Sequence, residues 1–144
     1  MPIRKATPED APAIRDLTAR FGMEAKPGLL EQQLAELQND PRHQVLVYEA
    51  HEKVLGYAVI HFLPRPALTR ETVLISDLIA EPSDHNLYIT RALEDQISQL
   101  ARERKCYSIA LHCQTLAAER RKLYEKQGYT AHDRYYAKRF TYTD

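Results

Sequence analysis

The stretch "TVLISDLIAEPSDHNLYITRALEDQI", residues 72–97, decides the fold because it joins a buried strand to a long helix through a short polar turn. Residues 72–80 are β-branched or apolar at most positions, which is typical of a central strand buried on both faces. Apolar side chains then recur at helical spacing, at Ile89, Leu93 and Ile97. The unpaired N–H groups at the start of such a helix can bind an anion. The same spacing also fits an ordinary strand–helix corner capped by Ser83 or Asp84.

Patterns on either side of this stretch extend it into a layered domain. Before it, the sequence predicts a short strand, two amphipathic helices and a β-hairpin, over residues 3–6, 7–22, 28–40 and 43–64. After it, the sequence predicts a buried strand, a helix ended by Gly128 and one or two closing strands, over residues 106–113, 116–128 and 129–140. The fold class is therefore mixed α/β: one sheet of six to seven strands flanked by about four helices.

Composition predicts an ordinary globular domain over residues 1–144, with 44% apolar and 28% charged residues. Twenty basic residues balance twenty acidic ones, so we expect neither a nucleic-acid partner nor an anionic membrane surface. No apolar run approaches the ~20 residues of a membrane-spanning helix. The start, "MPIRKATPEDA", has no apolar signal core. We therefore expect a cytoplasmic protein.

Cysteine and histidine usage predicts neither a disulfide nor a metal site. Cys106 and Cys113 fit a reducing compartment, and their odd spacing would point them to opposite faces of one strand. None of the six histidines shows a ligand spacing such as His-x-x-x-His. His61, near the end of a hairpin strand, is a candidate for lining an acceptor pocket. The basic run at residues 119–122 is interpreted as a solvated helix face.

Two motifs resemble those of the GNAT family of N-acetyltransferases. "DLIAEP", Asp77 to Pro82, resembles the end of that family's fourth strand, and "YEKQGY", Tyr124 to Tyr129, resembles its late motif. The order of helices and strands is also similar from residue 3 to about residue 140. The resemblance implies that acetyl-CoA is the cosubstrate and that an amine of a small molecule or peptide is the acceptor.

The resemblance also implies where acetyl-CoA binds. The pantetheine arm would pair with the main chain of the fourth strand, at Leu78, Ile79 and Ala80. The pyrophosphate would lie on amides at the start of the next helix, and Arg91 could add positive charge. The residues implied in this turn are His85, Asn86, Leu87, Tyr88, Ile89 and Thr90.

In this family a neutral amine attacks the thioester directly, and a tyrosine of the last helix often protonates the departing thiolate. Tyr124 holds that position, and a phenol with a pKa of ~10 can donate a proton at neutral pH. The base is open. The family's glutamate positions fall on Ser76 and Leu74, which leaves Asp77 as the candidate, with Glu71 further up the strand.

The turn departs from the family pattern because Asn86, Tyr88 and Thr90 stand where glycine or alanine is common. Glycine gives backbone freedom and leaves no side chain between the amides and a phosphate. The Tyr88 ring could swing away and free the amides, or it could fill the cofactor site. The alternative function is therefore an inactive GNAT-like domain that binds a ligand or a partner. Alanine at residue 117, where asparagine is common, also favours it.

Two further possibilities follow from the resemblance. A toxin-type acetyltransferase acting on charged tRNA is disfavoured, because the neutral composition offers no basic surface for phosphates. The C-terminal strands could pair across a homodimer.

Overall fold

The computed structural model describes residues 2–23, 26, 28–66, 69–111, 118–131, 138 and 140–142. Within them, the helices and strands follow one another in this order: β1 Ile3–Lys5, α1 Ala11–Ala19, α2 Leu29–Leu37, β2 His43–Ala50, β3 Lys53–Leu63, β4 Thr72–Ala80, α3 Asn86–Glu103, β5 Ser108–Leu111 and α4 Ala118–Lys126. A 3₁₀ turn, Pro8–Asp10, leads into α1. The predicted order is confirmed as far as α4.

The described residues form one five-stranded mixed sheet in the order β1-β2-β3-β4-β5. The first four strands are antiparallel to their neighbours, and β5 runs parallel to β4. The predicted total of six to seven strands is not confirmed, because the expected closing strands at 129–140 lie largely outside the described residues. His112, Cys113, Ala117 and His132 lie outside them too.

β4 has the bounds that its apolar run predicts, and it lies between β3 and β5 in the sheet, with buried side chains that belong to the clusters on both faces. Its pairing with β3 is interrupted once. Val59 lies opposite Asp77, whereas Ile60 lies opposite Ile75, so Ser76 is an extra residue that forms a β-bulge.

The edge of β4 that faces β5 is only partly paired. The ladder ends at the Ile75–Leu111 pair, and residues 76–80 have no strand neighbour on that side within the described part of the chain. The bulge therefore marks the point beyond which the main chain of β4 has no strand partner on this edge among the described residues.

Apolar clusters cover both faces of the sheet. Ile89, Leu93 and Ile97 of α3 are buried on one face. Ile14 of α1 and Leu34 of α2 are buried on the opposite face. β4 thus separates an α3 side from an α1–α2 side. No helix among the described residues is both long and apolar enough to cross a membrane.

Candidate active site

The turn between β4 and α3 is held by the side chain of Asn86. Its Nδ2 donates to the carbonyl oxygens of Ala80 and Glu81, both at 2.9 Å. His85 is the N-cap of α3, and its N–H donates to Ser83 Oγ at 3.2 Å. Among the described residues, only His51, Glu52 and Lys105 combine a side chain with positive φ. The turn therefore does without glycine because none of its residues needs a left-handed backbone.

Tyr88 lies at the start of α3 with 68% of its surface exposed. Its ring packs edge-on against the ring of Tyr48, with centroids 6.4 Å apart and an interplanar angle of 88°, and this contact directs it towards β2. The amides of Leu87 and Tyr88 find no hydrogen-bond acceptor in the part of the chain that the structure describes. Two N–H groups at the positive end of the α3 dipole are thus available to an anion.

Arg120 of α4 contacts the edge of β4 that has no strand partner among the described residues. Its Nη2 donates to the Leu78 carbonyl at 3.0 Å and to Thr90 Oγ1 at 3.1 Å. Its Nε is buried without an acceptor among the described residues. The expectation that the whole basic run 119–122 lies on a solvated face is therefore wrong for Arg120, which turns inward and bridges β4 and α3.

A polar seam that the sequence reasoning missed lies between α3 and the end of α4. The Glu94 side chain, in a residue only 1% exposed, accepts hydrogen bonds at Oε1 from Ser98 Oγ at 2.5 Å and from Tyr129 OH at 3.1 Å. Burial, together with the charge of Glu94, raises the pKa of Tyr129. Tyr124, 4% exposed, packs edge-on against the Tyr129 ring at 5.6 Å. The predicted thiolate acid therefore packs against a tyrosine that is hydrogen-bonded to a buried carboxylate.

On the α1–α2 side of the sheet, Asp77 lines a cavity of about 470 Å³. The walls are largely apolar, with Leu30, Leu34 and Tyr57 among them, and Glu36 adds a second carboxylate. Burial raises the pKa of Asp77, although the charge of His61 and a hydrogen bond from Ser76 oppose the shift. A carboxylate that binds protons more readily than usual in a concave site can act as a base.

The other candidates for the base lie elsewhere. Glu71 is paired with Arg104, with Oε1 and Nη2 3.0 Å apart. Ser76 Oγ is bonded to His61 Nε2 at 2.8 Å. His61 itself is not among the cavity-lining residues. The structure thus places Asp77 in the wall of the cavity. His61 lies outside that wall, in contact with Ser76, the residue before Asp77.

Comparison with known proteins gives the same fold. A crystal structure of a ribosomal-protein-alanine N-acetyltransferase from Brucella melitensis biovar Abortus is 21% identical, with a TM-score of 0.76 over 97% of this chain and 100% of that one. A Trypanosoma brucei acetyltransferase is 21% identical, with a TM-score of 0.81 over 96% and 98%. An aminoglycoside acetyltransferase from a soil metagenomic sample is 19% identical, with a TM-score of 0.78 over 98% and 95%.

No curated protein sequence matches the chain. The family model for the acetyltransferase (GNAT) family matches residues 11–129, which is most of the chain. Since this match spans both motifs and every element from α1 to α4, the chain belongs to the GNAT family of acetyltransferases.

Proposed function

We propose that this protein transfers an acetyl group from acetyl-CoA to a primary amine of a small molecule or peptide in the cytoplasm. The observation that carries the proposal is the arrangement around β4. Asp77, next to the bulge, lines the cavity on the α1–α2 side, while residues 76–80 of the same strand have no strand partner on the β5 side among the described residues, where a pantetheine arm would pair. Cosubstrate and acceptor would then approach one strand from two directions.

Acetyl-CoA would bind through the main chain more than through side chains. The edge at Leu78 to Ala80 would pair with the pantetheine amides, and the free amides of Leu87 and Tyr88 would receive the pyrophosphate. Arg91, exposed and 3.9 Å from Asp95, would add positive charge. The helix dipole supports this use, since it comes from the backbone and does not depend on glycine.

The acceptor cavity favours an amine with an apolar body. Asp77 would take one proton from the ammonium group, and the neutral nitrogen would attack the thioester carbonyl carbon. The carbon–sulfur bond then breaks, and the electron pair leaves on the CoA sulfur. Tyr124 would protonate that thiolate. The nitrogen of the tetrahedral intermediate loses a second proton as the amide forms, and this proton would return through solvent to the Tyr124 phenolate, so no other co-reactant is needed.

Replacement of Asp77 by Asn tests the proposal. Acetyl transfer is measured with 2-phenylethylamine, an alanine-terminated peptide and kanamycin as acceptors. We expect Asp77→Asn to lower kcat on the order of 10²-fold with the best acceptor, which is the usual share of general acid–base catalysis. Because the pKa of Asp77 is raised, the wild-type rate should fall as the pH drops through that value, when the carboxylate becomes protonated.

Asp16→Asn, an exposed change of the same chemistry on α1, is the matched control and should keep the wild-type rate. Full activity in Asp77→Asn would remove Asp77 from the reaction. No transfer to any of the three amines by the wild-type protein would contradict the proposal itself.

One observation favours a second candidate function, a domain that no longer binds acetyl-CoA and serves as a ligand-binding or interaction module. Two carbonyls at the end of β4 are already occupied, Leu78 by Arg120 and Ala80 by Asn86. Calorimetric titration with acetyl-CoA distinguishes the two functions, since only the enzyme needs the cosubstrate to bind.

A further inference from the structure

A row of side chains joins the acceptor cavity to the surface on the α1–α2 side of the sheet. It begins at Asp77 in the cavity, continues through Ser76, His61 and His43, and ends at Asp40. We propose that this row is a proton relay, which carries the proton of the acceptor amine from Asp77 to solvent. The inference rests on the proposed acetyltransferase function.

Two contacts along the row are short enough for proton transfer, those of His61 with Ser76 and with His43. His61 Nε2 lies 2.8 Å from Ser76 Oγ, and His61 Nδ1 lies 2.8 Å from His43 Nδ1. The far nitrogen of His43, Nε2, lies 3.9 Å from Asp40 Oδ2. Each imidazole therefore uses one ring nitrogen on each side, which is the geometry that lets a ring accept at one atom and release at the other.

The β-bulge in β4 is what starts the row. In a regular strand, Ser76 and Asp77 would point to opposite faces of the sheet. The extra residue at Ser76 re-aims its hydroxyl to the face of the sheet that carries Asp77, so that it meets His61 Nε2 and donates to the Val59 carbonyl at 3.4 Å. On the neighbouring strands, His43 and His61 are direct register partners, which brings their rings together.

The row also has an exit. His43 and Asp40 line a second cavity of about 160 Å³, on the side of α2 that leads into β2. The side chain of His43 is 33% exposed and that of Asp40 is 29% exposed, so water reaches both. The relay would thus connect two cavities on the same face of the sheet, which share Leu34, Leu37 and Val45 in their walls.

One proton moves per turnover, and no charge is left on the row. Asp77 takes the proton from the ammonium group and passes it to the Ser76 oxygen, while the Ser76 hydroxyl proton goes to His61 Nε2. His61 Nδ1–H then donates to His43 Nδ1, and His43 Nε2–H releases its proton to water. The neutral amine remains in the cavity, ready to attack.

The charged surroundings suit this direction of transfer. Burial and the nearby His43 lower the pKa of His61, and the Asp77 charge opposes that shift, so His61 is neutral at pH 7 and can accept a proton. A hydrogen bond from the Arg42 N–H lowers the pKa of Asp40, which therefore stays charged at the exit. Among the described residues, Asp77 lies near His61 and Asp40 lies near His43, while Lys5 lines the same cavity as His43 and Arg42 pairs with Asp40.

The test measures acetyl transfer against pH with the fastest acceptor among 2-phenylethylamine, the alanine-terminated peptide and kanamycin. His61→Gln keeps a hydrogen bond to Ser76 but cannot pass a proton between two atoms. We expect kcat at pH 7 to fall on the order of 10²-fold with the KM for acetyl-CoA unchanged. In the plot of kcat against pH, the change in rate that follows the titration of the histidines should disappear. In His61→Ala, added imidazole should restore part of the rate.

His51→Asn, a histidine change in the β2–β3 turn, is the control and should keep both the rate and the pH profile. If His61→Gln does not fold, His43→Gln, with its partly exposed side chain, should give the same loss. An active wild-type protein whose pH profile survives these changes overturns the relay but leaves the proposed function. A wild-type protein that acetylates none of the three amines overturns both.

Discussion

Asn86 shows, at the scale of one residue, how the turn between β4 and α3 can form without glycine. Its amide group closes the end of β4, and its own backbone needs no positive φ. Glycine was expected there for two reasons. This turn does not use the first, backbone freedom, and the second, a clear approach to the amides beside Tyr88, stays a prediction. The sequence could place Asn86 at the corner, but it could not show that the side chain bonds to two carbonyls.

Two tyrosines that touch each other have separable roles, and single hydroxyl deletions distinguish them. Tyr124→Phe should lower kcat on the order of 10²-fold and leave acetyl-CoA affinity nearly unchanged, because only the departing thiolate needs its proton. Tyr129→Phe should instead lower the free energy of unfolding by about 1–2 kcal/mol, since buried Glu94 loses one of its donors. Turnover assays and urea titrations of both variants measure this. Equal turnover in Tyr124→Phe and wild type would exclude the acid role.

At the scale of elements, the bounds of β4 follow from its composition, whereas the bulges do not. Leu55 is an extra residue in β3, because Glu49 pairs with Val54 and Tyr48 with Gly56. This one-residue shift sets His43 opposite His61. A hairpin could be predicted from the alternating residues on either side of its turn, but a bulge depends on packing between strands and α3. The row of side chains from Asp77 to Asp40 could therefore not be predicted from the sequence.

β3 approaches α3 closely at Gly56, and Gly56→Ala tests whether this close packing contributes to stability. A Cβ at Gly56 would lie 2.8 Å from Ile89 Cγ2 and 3.1 Å from the Ile79 carbonyl oxygen. We expect a loss of about 1–3 kcal/mol in the free energy of unfolding, measured by chemical denaturation. Ile89→Ala removes the nearest methyl group, so the double variant should lose less than the sum of the two single changes. Strict additivity would show that the clash is not with Ile89.

For the whole molecule, β4 is the element that the two halves of the site share. Its open edge faces α3 and α4, and Asp77 faces the cavity beside α1 and α2. The family and the order of elements could be predicted from the motifs. The inward turn of Arg120 could not, because α4 reads "AERRKLYEK" and has too few apolar residues to show which face is buried.

The contact of Arg120 with β4 bears directly on whether acetyl-CoA can bind, since its guanidinium donates to the Leu78 carbonyl that a pantetheine amide would need. If acetyl-CoA must displace this contact, Arg120→Ala should bind acetyl-CoA about tenfold more tightly, which corresponds to ~1.4 kcal/mol for a charged hydrogen bond no longer broken on binding. Calorimetric titration measures it. Arg121→Ala removes the same charge from the exposed neighbouring position and should leave the affinity unchanged. Weaker binding in Arg120→Ala alone would mean that the guanidinium helps to hold the cosubstrate, and no binding by any of the three proteins would favour the interaction module.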